Sequence, residues 1–128
     1  MKIGIVADYY LKSGGSVNFV NSELENFEIL KKDFKGQVSY EYIVTNKSAF
    51  DDLNKRYDNV VYFNKENLIN RISLFLSSVD IIRKLIFKLN INSFENLIKK
   101  KNISLLIFLT PSKLVYFCRR IDFISTIW

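Results

Sequence analysis

MKIGIVADYYLKSGGS, residues 1–16, joins a short apolar run, a polar loop and a pair of glycines. The apolar run at residues 3–7 predicts a strand that is buried on both faces, as in a parallel sheet. Gly14 and Gly15 predict a turn into a helix, whose first N–H groups and dipole favour an anion. The segment is therefore either a phosphate site or only a connection between a strand and a helix.

Apolar runs alternate with segments of helical periodicity along the rest of the chain. Apolar residues at three- and four-residue steps predict helices, whereas runs rich in β-branched and aromatic residues predict strands. The predicted strands are residues 2–7, 38–45, 59–63, 103–109 and 122–128. The predicted helices are residues 16–33 with Ser16 as N-cap and Gly36 after the end, residues 66–89, a helix capped by Ser93, and short helices within 46–57 and 113–120.

This alternation predicts βαβ units and a parallel sheet that is covered on both faces. Right-handed crossovers favour a three-layer α/β, Rossmann-like domain with five strands in the order 3-2-1-4-5. The first and fourth strands are then neighbours where the winding reverses, and ligands bind there, outside the carboxyl ends of the strands. We expect residues 8–15 and residues 110–112 to flank one crevice.

The composition restricts the chemistry. The 128 residues suffice for one domain, and they include no histidine and a single cysteine, Cys118. These counts exclude an intramolecular disulfide and argue against a zinc site, so no metal ligands are predicted. Cys118 lies in an apolar stretch and is expected to be a buried structural thiol. With neither a signal peptide nor a run of about 20 apolar residues, we expect a cytoplasmic chain.

The net charge of +6 is unevenly distributed. Residues 1–64 carry 8 basic and 9 acidic side chains, residues 65–101 carry 8 and 3, and residues 102–128 carry 3 and 1. A wide apolar stripe and a basic excess within residues 66–101 suggest peripheral contact with an anionic membrane on its inner face. A core helix with a solvated face is the alternative. Nucleic acid is not expected, because the aromatic residues are not interleaved with basic ones.

Several phosphate-binding motifs are absent. The chain has only four glycines, and neither GxGxxG nor GxxxxGK[ST] occurs. A receiver domain would need an aspartate after the third strand and a lysine after the fifth, where this chain has Phe63, Asn64 and Trp128. These familiar nucleotide and phosphoryl sites are therefore excluded.

The opening strand, the loop Lys12-Ser13-Gly14-Gly15 and the following amphipathic helix resemble the start of a GT-B-fold glycosyltransferase. The similarity is to the retaining, nucleotide-sugar-dependent group that includes glycogen synthase. ISLLIFLTPS and DFISTIW resemble the fourth strand with its cleft loop and the next strand of that group. The resemblance covers residues 1–128 as the N-terminal, acceptor-side domain, without the C-terminal domain that binds most of the donor.

The resemblance implies transfer of a sugar from a nucleotide-sugar donor to a glycan or lipid-linked acceptor, with no separate cofactor. It implies that the loop approaches the diphosphate and sugar of the donor, through Lys12, Ser13, Gly14, Gly15 and Ser16. It implies an acceptor cleft formed by Asp8, Tyr9, Tyr10, Thr110, Pro111, Ser112 and Trp128. Many members of the group have a histidine at the position that Trp128 occupies here.

Several of these residues have a plain structural alternative. Lys12 is either a phosphate ligand or a solvated loop lysine, and Asp8 either orients an acceptor hydroxyl or caps the loop. Tyr9 and Tyr10 either stack on a sugar or pack inside the domain. The domain as a whole is either half of a transferase, inactive alone, or a non-catalytic Rossmann-like binding module with a basic helical face.

Overall fold

Five parallel strands form one sheet in the order β3-β2-β1-β4-β5. The computed structural model describes residues 1–9, 14–34, 36–76, 82, 84–85, 92–118 and 120–125. All four strand pairings are parallel, so the predicted α/β, Rossmann-like fold and its strand order are confirmed. The strands are β1 Lys2–Val6, β2 Ser39–Val44, β3 Val60–Tyr62, β4 Leu105–Phe108 and β5 Asp122–Ser125.

Helices cover both faces of this sheet. They are α1 Gly14–Asp33, α2 Lys47–Leu53, α3 Leu68–Leu76 and α4 Ser93–Lys100, with a 3-10 helix at Lys113–Phe117. Buried residues of α1 and α2 share one core with the sheet, whereas α4 and the 3-10 helix share a second core on the other face. None of the helices among the described residues is long and apolar enough to cross a membrane.

The central strand β1 is packed tightly against its neighbours. A Cβ atom built on Gly4 would lie 2.7 Å from Leu106 Cδ2 and 3.1 Å from both Ile103 Cγ2 and Ile43 Cδ1. Leu106 and Ile43 are fully buried, so neither side chain has room to move away. Gly4 therefore lets β1 lie against the second core between β2 and β4.

Two predicted helix starts are wrong. α1 begins at Gly14, so Ser16 lies inside the helix and is not its N-cap. The two glycines form the first turn of α1. Neither has the positive φ that a separate glycine turn before the helix would require. The N-cap of α4 is Asn92 and not Ser93, because the Asn92 side chain accepts hydrogen bonds from the amides of Phe94 and Glu95.

Other elements differ from their predicted lengths. The fourth strand is Leu105–Phe108, shorter than predicted, and the predicted helix after it is the 3-10 helix that ends at Phe117. Within the predicted helix 66–89, the structure has α3 at Leu68–Leu76, while residues 77–81, 83 and 86–89 lie outside the described residues. β5 ends at Ser125, and residues 126–128 of the predicted fifth strand are likewise outside the description.

Cys118 is buried in the second core, as predicted, with 6% of its surface exposed. Burial, reinforced by the nearby carboxylate of Glu95, raises the pKa of the Cys118 thiol to about 12. Such a thiol is held in its unreactive protonated form at neutral pH.

Candidate functional site

The ends of β1 and β4 meet at the point where the winding of the sheet reverses. The Thr110 hydroxyl donates a hydrogen bond of 2.9 Å to the backbone carbonyl of Asp8. Just before it, the amide of Leu109 donates to the carbonyl of Val6 at 3.1 Å. The structure thus brings Asp8 and Thr110 together, at the edge where the strand order predicted a shared crevice.

The Asp8 carboxylate is held by two residues that follow the neighbouring strands. Its Oδ1 accepts a hydrogen bond from the hydroxyl of Thr45, which is buried at the end of β2. Its Oδ2 lies 3.9 Å from Nζ of Lys65, beyond the end of β3. The side chains of Asp8 and Lys65 are 22% and 31% exposed, so solvent reaches both charges. Asp8 is therefore a fixed carboxylate beside a cation.

Thr45 and Lys65 were not among the predicted site residues. Each follows a strand by one to three positions, so the parallel sheet brings them to the same edge as Asp8. A polar side chain directly after a predicted strand is the signal that would have indicated them.

Gly14 and Gly15 begin α1 at this edge, and both are exposed. A Cβ atom built on either glycine would meet nothing within 4 Å. Ser16 follows them inside the helix and is partly buried. The space on the Cβ side of both glycines is thus open.

Tyr9 lies in the first core and not in a cleft. Its side chain is 2% exposed, and its hydroxyl donates a hydrogen bond of 3.1 Å to Asp52 Oδ2 on α2. Asp52 also accepts from Arg56 Nη2 at 2.6 Å. Burial and the hydrogen bond to Asp52 raise the pKa of Tyr9 to about 12. Of the two predicted roles of Tyr9, the structure shows packing.

In the loop after β4, the Ser112 side chain has a structural role. Ser112 caps the 3-10 helix, since its hydroxyl accepts from the amide of Leu114 at 3.2 Å. Pro111 beside it is exposed. The other predicted site residues lie outside the described part of the chain, namely Tyr10, Lys12, Ser13 and Trp128.

The described groups at this edge are the exposed start of α1 and the Asp8 carboxylate. One oxygen of that carboxylate contacts Thr45 and the other lies beside Lys65. The N–H groups at a helix start favour an anion, and the Lys65 ammonium adds positive charge. The Asp8 carboxylate suits a hydroxyl group. Within the described residues, no group of three or more His, Cys, Asp or Glu side chains is placed to hold a metal ion.

Comparisons with models of protein families, with curated proteins and with solved structures gave no significant match.

Proposed function

We propose that residues 1–128 form the acceptor-side domain of a GT-B-type glycosyltransferase, which transfers a sugar from a nucleotide-sugar donor to a glycan or lipid-linked acceptor. The proposal is supported by the sheet order, in which β1 and β4 adjoin at the reversal of winding. It is also supported by the group of Asp8, Thr45, Lys65 and Thr110 at the carboxyl edge.

The observation that carries the proposal is the open pair of glycines at the start of α1. Glycine is unfavourable in a helix by about 1 kcal/mol relative to alanine. At Gly14 and Gly15 neither the space around a Cβ atom nor the backbone φ requires it. Close approach of a ligand to the backbone is a remaining physical reason for two glycines there.

The ligand class follows from the charge that this edge favours. When the glycosidic bond of a nucleotide sugar breaks, the leaving diphosphate gains negative charge. The amides of Gly15 and Ser16, together with the side chain of Lys12, are in the right part of the chain to stabilise it. Lys65 contributes further positive potential from the end of β3.

Asp8 has a separate role in this proposal. Thr45 holds Oδ1 of the carboxylate, which leaves Oδ2 as the oxygen beside Lys65. We assign Oδ2 to a hydroxyl group of the acceptor, which it orients by a charge-assisted hydrogen bond. The donor's base and ribose would be held by a second domain, as in the enzymes that the sequence resembles.

Titration with nucleotide sugars and with inorganic pyrophosphate, followed by saturation-transfer NMR, tests the proposal. We expect weak binding that pyrophosphate competes, and an affinity at least about tenfold lower in Gly15→Val, equivalent to 1.4 kcal/mol. Asn18→Val is the matched control, since Asn18 is exposed one turn further along α1. Failure of the wild-type chain to bind either probe would contradict the proposal and favour the non-catalytic binding module.

A further inference from the structure

The end of β1 and the first half of α1 are both attached to the region of α2. On the β1 side, Tyr9 is 2% exposed, and its hydroxyl donates a hydrogen bond of 3.1 Å to Asp52 Oδ2 on α2. On the α1 side, Asn21 Oδ1 accepts a hydrogen bond of 3.0 Å from Nη2 of Arg56. The two segments on either side of residues 10–13 are therefore held by neighbouring groups.

One guanidinium connects these two attachments. Arg56 lies in the turn after α2, and its Nη2 donates to Asp52 Oδ2 at 2.6 Å as well as to Asn21 Oδ1. Asp52 Oδ2 thus accepts from both Tyr9 and Arg56. The path Tyr9–Asp52–Arg56–Asn21, here called the Tyr9–Asn21 bridge, joins the residue after Asp8 to α1 through side chains alone.

The position of Asn21 relates the bridge to the start of α1. Asn21 comes about two helical turns after Gly14, so the two residues lie on the same side of the helix. A hydrogen bond at Asn21 therefore restricts rotation of α1 about its axis, which would redirect the N–H groups of the first turn. The bridge thus relates the direction of this helix start to the position of Asp8.

Packing alone does not require the hydroxyl of Tyr9. The ring lies in the first core, where a phenylalanine would fill the same space. A buried hydroxyl loses its hydration, so it needs a partner such as Asp52. The side chains of Asp52 and Arg56 are 37% and 35% exposed, and an ion pair with that exposure contributes little stability. These contacts are therefore better explained by the connection that they make than by the stability that they add.

We propose that Tyr9, Asp52, Arg56 and Asn21 are positioning residues, which hold Asp8 and the first turn of α1 in the arrangement that receives the ligand. This inference rests on the proposed function, since the Asp8 carboxylate and the helix start are the groups assigned there to the acceptor hydroxyl and the diphosphate. Groups that are fixed before binding lose less conformational entropy when the ligand arrives, so the bridge raises the affinity without touching the ligand.

Tyr9→Phe opens the bridge at one end and keeps the packing of the ring. The probe is inorganic pyrophosphate, titrated by NMR into the isotope-labelled chain. We expect the affinity for pyrophosphate to be about three- to tenfold lower in Tyr9→Phe than in the wild type. Without ligand, the amide order parameters of Asp8, Gly14 and Gly15 should also fall in this variant, because the two segments move more independently.

The matched control is Tyr42→Phe. Tyr42 is 1% exposed in the same core, and its hydroxyl also donates to a carboxylate, that of Glu28 in the second half of α1. Both variants lose a buried hydrogen bond from tyrosine to a carboxylate, but only Tyr9→Phe opens the bridge. Tyr42→Phe should therefore lose stability and still bind pyrophosphate like the wild type. Circular dichroism verifies that both variants are folded.

The other end of the bridge is tested at Asn21. Asn21→Ala removes the acceptor of the Arg56 hydrogen bond, whereas Asn21→Asp supplies an acceptor oxygen again. Order parameters are compared for this pair, since the added charge of the aspartate would itself repel pyrophosphate. We expect lower values at Gly14 and Gly15 in Asn21→Ala, and wild-type values in Asn21→Asp.

Two results would overturn the inference. They are an affinity of Tyr9→Phe for pyrophosphate equal to that of the wild type, and equal losses of affinity in Tyr9→Phe and Tyr42→Phe. A wild-type chain that binds no pyrophosphate would contradict the proposed function instead. The order parameters would then decide about the bridge: unchanged values in Tyr9→Phe and Asn21→Ala would refute it, and lower values would support it.

Discussion

The Thr110 hydroxyl donates a 2.9 Å hydrogen bond to the Asp8 carbonyl, across 102 positions of sequence. It joins the residues that follow β1 and β4, the two strands between which the winding of the sheet reverses. The same Asp8 accepts a hydrogen bond from Thr45 through its side chain. Three strand ends are therefore connected through one residue, and the candidate site is built on a fixed edge.

Replacing Thr110 with valine should weaken this edge. The substitution keeps the shape of the side chain, but it removes the donor to the partly buried Asp8 carbonyl. We expect the free energy of unfolding to fall by about 1 kcal/mol, measured by urea denaturation. Thr110→Ser keeps the hydroxyl and serves as the control. Equal losses in the two variants would mean that the methyl group, and not the hydrogen bond, provides the stability.

Gly4 and Gly15 should respond in opposite ways to alanine. In Gly4→Ala the new Cβ would meet Leu106 Cδ2 at 2.7 Å inside a filled core, so we expect a loss of about 1–3 kcal/mol. In Gly15→Ala the Cβ enters open space at the start of α1, so stability should be unchanged or rise by up to about 1 kcal/mol. Thermal denaturation followed by circular dichroism compares the two. A destabilised Gly15→Ala would contradict the open geometry of the helix start.

Asn92 performs two functions that can be separated. Its Oδ1 caps α4, and its Nδ2 donates a 2.7 Å hydrogen bond to the carbonyl of Phe117. Asn92→Ala removes both and should cost about 2 kcal/mol. Asn92→Ser restores a capping oxygen without the amide, and should recover about half of the loss in urea denaturation. No difference between the serine and alanine variants would show that the cap contributes nothing.

The raised pKa of Cys118 predicts how stability depends on alkaline pH. The pKa is 9.0 for an unperturbed thiol and about 12 in the folded chain, so folding favours the protonated form. This contribution is complete below pH 9 and is lost as the pH rises towards 12. We expect the free energy of unfolding to fall across that window, and to fall less steeply in Cys118→Ala.

Reaction of Cys118 with a disulfide reagent gives a second measurement of the same property. At pH 8 the native thiol should react at least about 100-fold more slowly than the thiol in denaturing urea, because the thiolate is the reacting form. Rapid modification of the native chain would contradict the burial of Cys118 in the second core.

The fold could be predicted from sequence because the patterns of apolar residues that mark its strands and helices are strong and do not depend on individual side-chain contacts. The apolar runs before Asp8 and Thr110 mark strands that lie in the interior of a parallel sheet. Once five strands alternate with helices, the handedness of the crossovers leaves few strand orders. The order 3-2-1-4-5 then places residues 8 and 110 at one edge without any knowledge of side chains.

Details that depend on distant contacts could not be predicted. Asn92 and Ser93 are both suitable N-caps, and the choice of Asn92 coincides with a hydrogen bond to Phe117, 25 positions away. The packing of Tyr9 depends in the same way on Asp52, 43 positions further along the chain. Local sequence does not reveal such partners, so Ser93 was predicted as the cap in place of Asn92, and Tyr9 had two possible roles.

The most direct test of the central claim is to map the ligand by amide chemical shifts. The claim is that the carboxyl edge of β1 and β4, with the first turn of α1, receives the diphosphate of a nucleotide sugar. In a titration of the isotope-labelled chain with a nucleotide sugar, the largest shifts should occur at Asp8, Gly14, Gly15 and Thr110. Shifts confined to α3, or to the opposite end of the strands around Lys2 and Ser39, would contradict the claim.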